Sequence, residues 1–413
     1  MPVKPTTAAA YSLLNAAAVR QRCHRMLALG LEGKLQHFDV ELGRLDAAAD
    51  LCIACTRRSY PLLDVPLHSR WRHFTVDGVD RWASIERTSA WRDAAERARA
   101  AFDLAIVSVL LDAGADGRWR YRDATTGKSC GRSEGLALAS LAMFAAGAFS
   151  QDACRPFRVD ARTLMAMSVE TLGQHFQVTA ANPLPTLAGR LRLLQRLGEV
   201  VAKNPDVFAR ADGARPGGLF DYLVGGGLSP SITAPRILAE ILRQLGSIWP
   251  GRLQLAGVPL GDCWRHPALA TDDSTSELVP LHKLSQWLAY SLIEPLQAAG
   301  IEVTDIDGLT GLAEYRNGGL FIDTGVLALR DPREAEREHD VGSTLVVEWR
   351  ALTVALLDRL ADIVRRRLRK DAVSFPLARI LQGGTWAAGR AIARQHRADG
   401  SPPIKVASDG TVF

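Results

Sequence analysis

Apolar residues recur at three- and four-residue intervals along most of this chain, and a polymer patterned in that way buries them by folding into amphipathic helices. The intervals are regular at 12–31, 41–56, 94–111, 134–146, 188–202, 235–245 and 281–298. They are clearest at 343–367, where Val346, Trp349, Leu352, Leu356, Leu360 and Ile363 step along one face. Strand signals are few and short. One hairpin is expected around Asp77-Gly78, a second between Arg252 and Val258, and a third from Lys405 to Phe413 around Asp409-Gly410. Strands and helices do not alternate, and neither G-x-G-x-x-G nor G-x-x-x-x-G-K-[ST] occurs, so nucleotide-cofactor folds are disfavoured. The expectation is a mainly α, multi-helical fold with short β-hairpins.

At 413 residues, with 47% hydrophobic and 23% charged residues, the chain can build a large core as one family domain, 1–413. The glycine- and proline-rich stretch Gly213-Ala-Arg-Pro-Gly-Gly218 marks a possible hinge between two helical lobes, 1–212 and 219–413. The net charge of +5 comes from arginines scattered among acids, which argues weakly for an anionic substrate and against nucleic acid. No run of eighteen apolar residues and no secretory leader pattern is present, so a cytoplasmic location without membrane contact is expected. Cys52 and Cys55 form a lone C-x-x-C inside a helical pattern; with no second pair and no histidine at ligand spacing, they read as ordinary helix-face cysteines, and neither metal nor cofactor is expected. The basic run 365–370 reads as cations at a helix C-terminus.

Four polar clusters interrupt the helical pattern. His68-Ser-Arg-Trp-Arg-His-Phe74 offers donors for a phosphate or carboxylate (His68, Arg70, Arg72) beside a stacking ring, or else a tryptophan-anchored loop with paired arginines. Trp119-Arg-Tyr-Arg122 runs towards Gly131-Arg-Ser-Glu-Gly135, where Ser133 is expected to cap a helix whose N-terminus could also hold an anion. His282, Lys283 and Gln286 share one helical face in an otherwise apolar segment. Finally, Asp305, Asp307, Glu314 and Asp323 occur with Tyr315, Arg316 and Asn317 in a glycine-rich, apolar stretch, and carboxylates in such surroundings are often kept for acid–base work.

These segments carry a resemblance. His68-Ser-Arg-Trp-Arg-His-Phe74, Gly131-Arg-Ser-Glu-Gly135, His282-Lys-Leu-Ser-Gln-Trp287, Glu314-Tyr-Arg-Asn-Gly-Gly319, Gln382-Gly-Gly-Thr-Trp-Ala-Ala-Gly389 and Ser408-Asp-Gly-Thr-Val-Phe413 resemble the uracil-catabolism family of the Urc/Urg type, over nearly the whole chain. The resemblance implies a step in pyrimidine degradation at which a ribosylurea-type intermediate, with or without a 5′-phosphate, loses its urea. A fainter similarity links Lys283, Gln286, Glu314-Tyr-Arg316 and Val347-Glu-Trp-Arg350 to queuosine-salvage nucleosidases, which implies a helix-hairpin-helix glycosylase-like core. There the acid is Asp, and Asn317-Gly-Gly stands here in place of a following Pro-Gln, so recognition of the leaving group must differ.

On this reading the protein is an N-ribosidic hydrolase acting on a small ribosyl or phosphoribosyl molecule. Glu314 stabilises the ribosyl cation, with Asp307, Asp323 and His282 as further acid–base candidates. Lys283, Gln286, Tyr315, Arg316, Asn317, Trp119, His68, Arg70 and Arg72 bind substrate. Two alternatives stand beside it: a metal- or nucleophile-dependent amidohydrolase of the same pathway, and a non-catalytic nucleotide-binding protein. Oligomeric state is not encoded in any motif.

Overall fold

In the computed structural model, which describes residues 6–112, 118–227, 230–249 and 253–407, helices dominate and all strands pair two by two. The expected helices are present: Ala16–Leu31, Leu45–Ser59, Ala94–Leu110, Arg132–Ala145, Leu187–Lys203, Ala234–Leu245, Lys283–Ala298 and Thr344–Leu368. Thr75–Val76 pairs with Val79–Asp80, and Gln254–Leu255 with Val258–Pro259, as the turn residues predict. The third expected hairpin takes another form: Lys405–Ala407 pairs in parallel with Glu338–Asp340, and its remainder lies outside the described residues. No described helix is long and apolar enough to cross a membrane.

The chain divides into two compact units, each assembled from separated stretches. Among the described residues, one comprises 6–68, 253–286 and 305–407; the other comprises 69–112, 118–227, 230–249 and 287–304, and includes the Gly213–Gly218 stretch.

The first unit is organised around Thr344–Leu368. Ser343 caps this helix by accepting the Val346 N–H, and Arg365, Arg366 and Arg367 occupy its last turn, where cations complement the dipole. Val346, Trp349, Leu352, Leu356 and Leu360 are fully buried, each leucine contributing about 1.5–3 kcal/mol of transfer free energy. The helix packs on Ala16–Leu31 and Leu45–Ser59, and the short helix Tyr315–Asp323 lies against it. Cys52 and Cys55 are unbridged on Leu45–Ser59, and burial raises both thiols above their ordinary range.

In the second unit Ala94–Leu110 packs on Arg132–Ala145, and Leu187–Lys203 on Ala161–Ala166. Arg132–Ala145 begins earlier than expected. The hairpin Tyr121–Arg122/Ser129–Cys130 delivers the chain directly to Gly131, which takes the cap position without a side-chain hydrogen bond, so Ser133 lies inside the first turn and is not the cap.

Candidate functional site

Glu314 occupies the N-cap position of Tyr315–Asp323. Its Oε2 accepts the Arg316 N–H at 2.9 Å and its Oε1 the Asn317 N–H at 2.7 Å. Glutamate is not among the favoured caps, because its longer side chain must fold back to reach the first turn. Here both oxygens are used. The residue is half-buried, and burial of the carboxyl group raises its pKa above the usual range. The opposing influences are the Arg316 N–H, the Lys283 charge, the Asn317 N–H and the Arg316 charge. The result is a carboxylate fixed in direction and with increased proton affinity, at a positive helix end and within electrostatic reach of Lys283.

The backbone leading to Glu314 is held almost residue by residue. Arg20 donates to the Leu309 carbonyl at 2.8 Å while its Nε bonds Asp358. Gln286, fully buried, accepts the Thr310 N–H at 3.1 Å and donates to the Thr310 hydroxyl. Asn317 Nδ2 donates to the Leu312 carbonyl at 3.2 Å, and Arg350 Nε to the Ala313 carbonyl at 3.2 Å. Two glycines permit the packing beneath. A Cβ on Gly318 would come within 2.7 Å of the buried Trp349 ring, and one on Gly389 within 2.2 Å of the Arg316 carbonyl.

Lys283 opens the helix Lys283–Ala298 and is half-buried. Its N–H donates to Asp262 Oδ2 at 2.9 Å, and the turn before it is also secured, the Leu281 and His282 N–H groups both reaching the Asp262 carbonyl. His282 pays for that turn with a left-handed φ of 48°, a conformation costing a non-glycine residue about 1–3 kcal/mol. Its ring is fully buried, Nε2 donates to the Leu13 carbonyl at 2.9 Å, and burial lowers its pKa, so the imidazole stays neutral.

The structure therefore brings Glu314, Tyr315, Arg316 and Asn317 together at one helix start, with Lys283 in electrostatic reach of Glu314 and Gln286 bonded to Thr310 in the approach. Arg316 is buried, stacks its guanidinium 4.9 Å from the Tyr315 ring centre and donates to the Gly400 carbonyl at 2.9 Å. Asp307 is engaged elsewhere, accepting Arg365 Nη2 and the Leu377 N–H, each at 2.6 Å. Asp323, at the far end of Tyr315–Asp323, forms a two-pronged pair with Arg397 at 2.8 and 2.6 Å. His68 Nδ1 bonds Gln382 Oε1 at 2.9 Å, within the segment 381–385 that winds as a π-helix.

The other candidates lie in the second unit. Arg70 is fully buried: Nε donates to Ser108 Oγ at 2.7 Å, and Nη1 reaches Asp112 at 2.9 Å and the Ser133 carbonyl at 3.2 Å. Burial lowers its pKa, opposed by Asp112. Arg72 pairs with Glu294, and Trp119, fully buried, donates to the Phe176 carbonyl at 2.9 Å and stacks on that ring. Arg70 and Trp119 serve the interior of their own unit, whereas the Arg72–Glu294 pair is partly exposed. Sequence reasoning missed Asp262 altogether, a single acid in Gly261-Asp-Cys-Trp264 with no pattern around it, and it left Arg350 without a role.

A family model described as "Protein of unknown function (DUF1688)" matches residues 12–413. The chain belongs to this family. Among its relatives, "Uracil catabolism protein 4" of Lachancea kluyveri is 39% identical over 414 residues, covering 92% of this chain and 93% of that protein. "Protein urg3" of Schizosaccharomyces pombe is 37% identical over 411 residues, covering 97% and 98%. These matches place the chain in the Urc/Urg group that its motifs resemble. Every candidate residue of this DUF1688 chain falls within the matched span.

Proposed function

We propose that the protein is an enzyme of uracil catabolism that hydrolyses the N-ribosidic bond of a ribosylurea-type molecule, releasing urea. One observation carries this reading: a half-buried carboxylate, Glu314, fixed by two backbone N–H groups at a helix start, with its proton affinity raised and Lys283 close by. The name of the Lachancea kluyveri relative supports the pathway.

The chemistry needs such a group. As the C1′–N bond breaks, its electron pair goes to the urea nitrogen and positive charge spreads over C1′ and the ring oxygen. A fixed anion stabilises that charge without reorganising. Water then adds to C1′ and gives up a proton, for which a carboxylate of raised pKa is a suitable acceptor. Urea must leave neutral, so its nitrogen takes a proton. This reading assigns the donation to Lys283, whose charge acts on Glu314, while Asp307, Asp323 and His282 are bonded to Arg365, Arg397 and the Leu13 carbonyl. Tyr315 and Asn317 are the neighbours that shape the sugar's side of the site.

The test is direct. Pure protein is incubated with ribosylurea and, separately, with its 5′-phosphate, and released urea is measured. Turnover of either compound is expected, and the ratio of the two rates reports whether phosphate is recognised. No urea from either compound would overturn the proposal.

A further inference from the structure

Arg350 and Asp262 form a buried pair, 1% and 7% exposed, in which Nη1 and Nη2 meet the two carboxylate oxygens at 2.9 and 2.8 Å. Neither residue ends there. Asp262 Oδ2 also accepts the Lys283 N–H at 2.9 Å, its Oδ1 accepts Trp264 Nε1–H at 2.7 Å, and its carbonyl accepts the Leu281 and His282 N–H groups. Arg350 turns its remaining edge, Nε–H, to the Ala313 carbonyl, the residue immediately before Glu314. The Thr344–Leu368 helix thus reaches through one guanidinium to both the start of Lys283–Ala298 and the approach to Tyr315–Asp323.

We infer that the buried Asp262–Arg350 pair is a positioning device that fixes Glu314 and Lys283 relative to each other. This rests on reading Glu314 as the working carboxylate. The energetics favour a geometric role over a merely stabilising one. Desolvating two charges roughly cancels their attraction, and apolar residues of similar volume stabilise a core at least as well. What the planar fork supplies, and apolar packing does not, is direction. Three N–H groups in one rigid plane hold a carboxylate and a carbonyl at set angles, and the carboxylate in turn holds the first N–H of the next helix. Lysine cannot reproduce it, since an ammonium at the end of a flexible stem can meet Asp262 but not Asp262 and Ala313 in one plane.

The experiment compares wild type, Arg350→Lys and Asp262→Asn, with Arg397→Lys as a control that disturbs the Asp323 pair of the same unit. Two quantities are read on folded protein: urea-release kinetics, and the titration midpoint of Glu314 by carbon-13 NMR against a Glu314→Gln reference. For Arg350→Lys, kcat is expected to fall about ten- to a hundredfold with KM nearly unchanged, the scale of an ångström-level misplacement. The Glu314 midpoint is expected to move upward, because a displaced carboxylate loses N–H bonds and the Lys283 charge. Asp262→Asn should act in the same direction, while Arg397→Lys should lower the melting temperature and leave the Glu314 midpoint in place. Unchanged kcat and midpoint in Arg350→Lys would overturn the inference. So would failure of that variant to fold, since it would assign the pair to the fold itself. If wild type releases no urea, the proposed reaction fails, while the titration arm still decides whether the pair positions Glu314.

Discussion

Replacing Glu314 by Gln separates the charge of this side chain from its shape. In wild type each carboxylate oxygen accepts one helix N–H, from Arg316 and from Asn317. An amide retains one acceptor and turns an NH2 towards the other donor, so one of the two capping bonds is lost, about 0.5–2 kcal/mol. Against that loss stands a gain whose sign follows from the raised pKa. With its folded pKa above its unfolded one, Glu314 binds more protons in the native state between the two values, and native stability falls as pH rises through that window. Gln removes this fall, so at neutral pH the two effects oppose each other and the melting temperature should shift little. The rate should not escape. Losing one preorganised electrostatic group costs about 2.7–4 kcal/mol of transition-state stabilisation, or two to three orders of magnitude in kcat. Urea release at saturating ribosylurea, read beside a thermal melt, measures both. A folded Glu314→Gln protein with wild-type turnover would refute the reasoning, and a protein that no longer folds would show that the cap, not the charge, is what the position requires.

Three further outcomes are expected. The pH–rate profile should lose activity on acidification at a higher pH than an ordinary carboxylate would dictate, because on the proposed reaction Glu314 must be ionised and its pKa is raised; Lys283→Met, which removes both the proposed proton donor and a charge that favours the ionised form, should lower kcat and move the acidic limb of the residual activity higher still. Asp307→Asn should weaken the bonds to Arg365 and the Leu377 N–H and lower unfolding stability by about 1–3 kcal/mol in a denaturant titration, a cost to the fold rather than to turnover per folded molecule. Gly318→Ala should destabilise by about 1–3 kcal/mol by the same measurement, since its Cβ would press on the Trp349 ring, and a variant as stable as wild type would show that the ring can give way.

Helices were legible because their signal is local. The period at 343–367 places the buried face of Thr344–Leu368 within a residue at each end. Where the boundaries differ, a specific contact decides. The first long helix starts at Ala16 because Asn15 Oδ1 accepts the Ala18 N–H, and the helix expected from 281 starts at Lys283 because His282 turns left-handed and Asp262 receives the N–H groups. The acids were not legible in this way: Glu314 caps the first turn of Tyr315–Asp323 with both oxygens, a use that its sequence surroundings do not announce. Asp307, Glu314 and Asp323 look alike in sequence, and what separates them is an arginine 58 residues away for the first and 74 away for the third.

The same distance explains why the supporting residues escaped notice. Arg350 and Asp262 are 88 positions apart, and nothing near Asp262 marks it as the acceptor of a buried guanidinium. A buried ion pair is a poor source of stability, so its presence is better explained by what it orients. Here it holds the Lys283 N–H and the Ala313 carbonyl, while Gln286, Asn317 and Arg20 fix the three neighbouring residues of the approach. Several polar side chains spent on a five-residue lead-in are more than chain reversal demands, since a turn of that length closes with one or two hydrogen bonds. A carboxylate whose orientation matters does demand them, and Glu314 is where that segment ends.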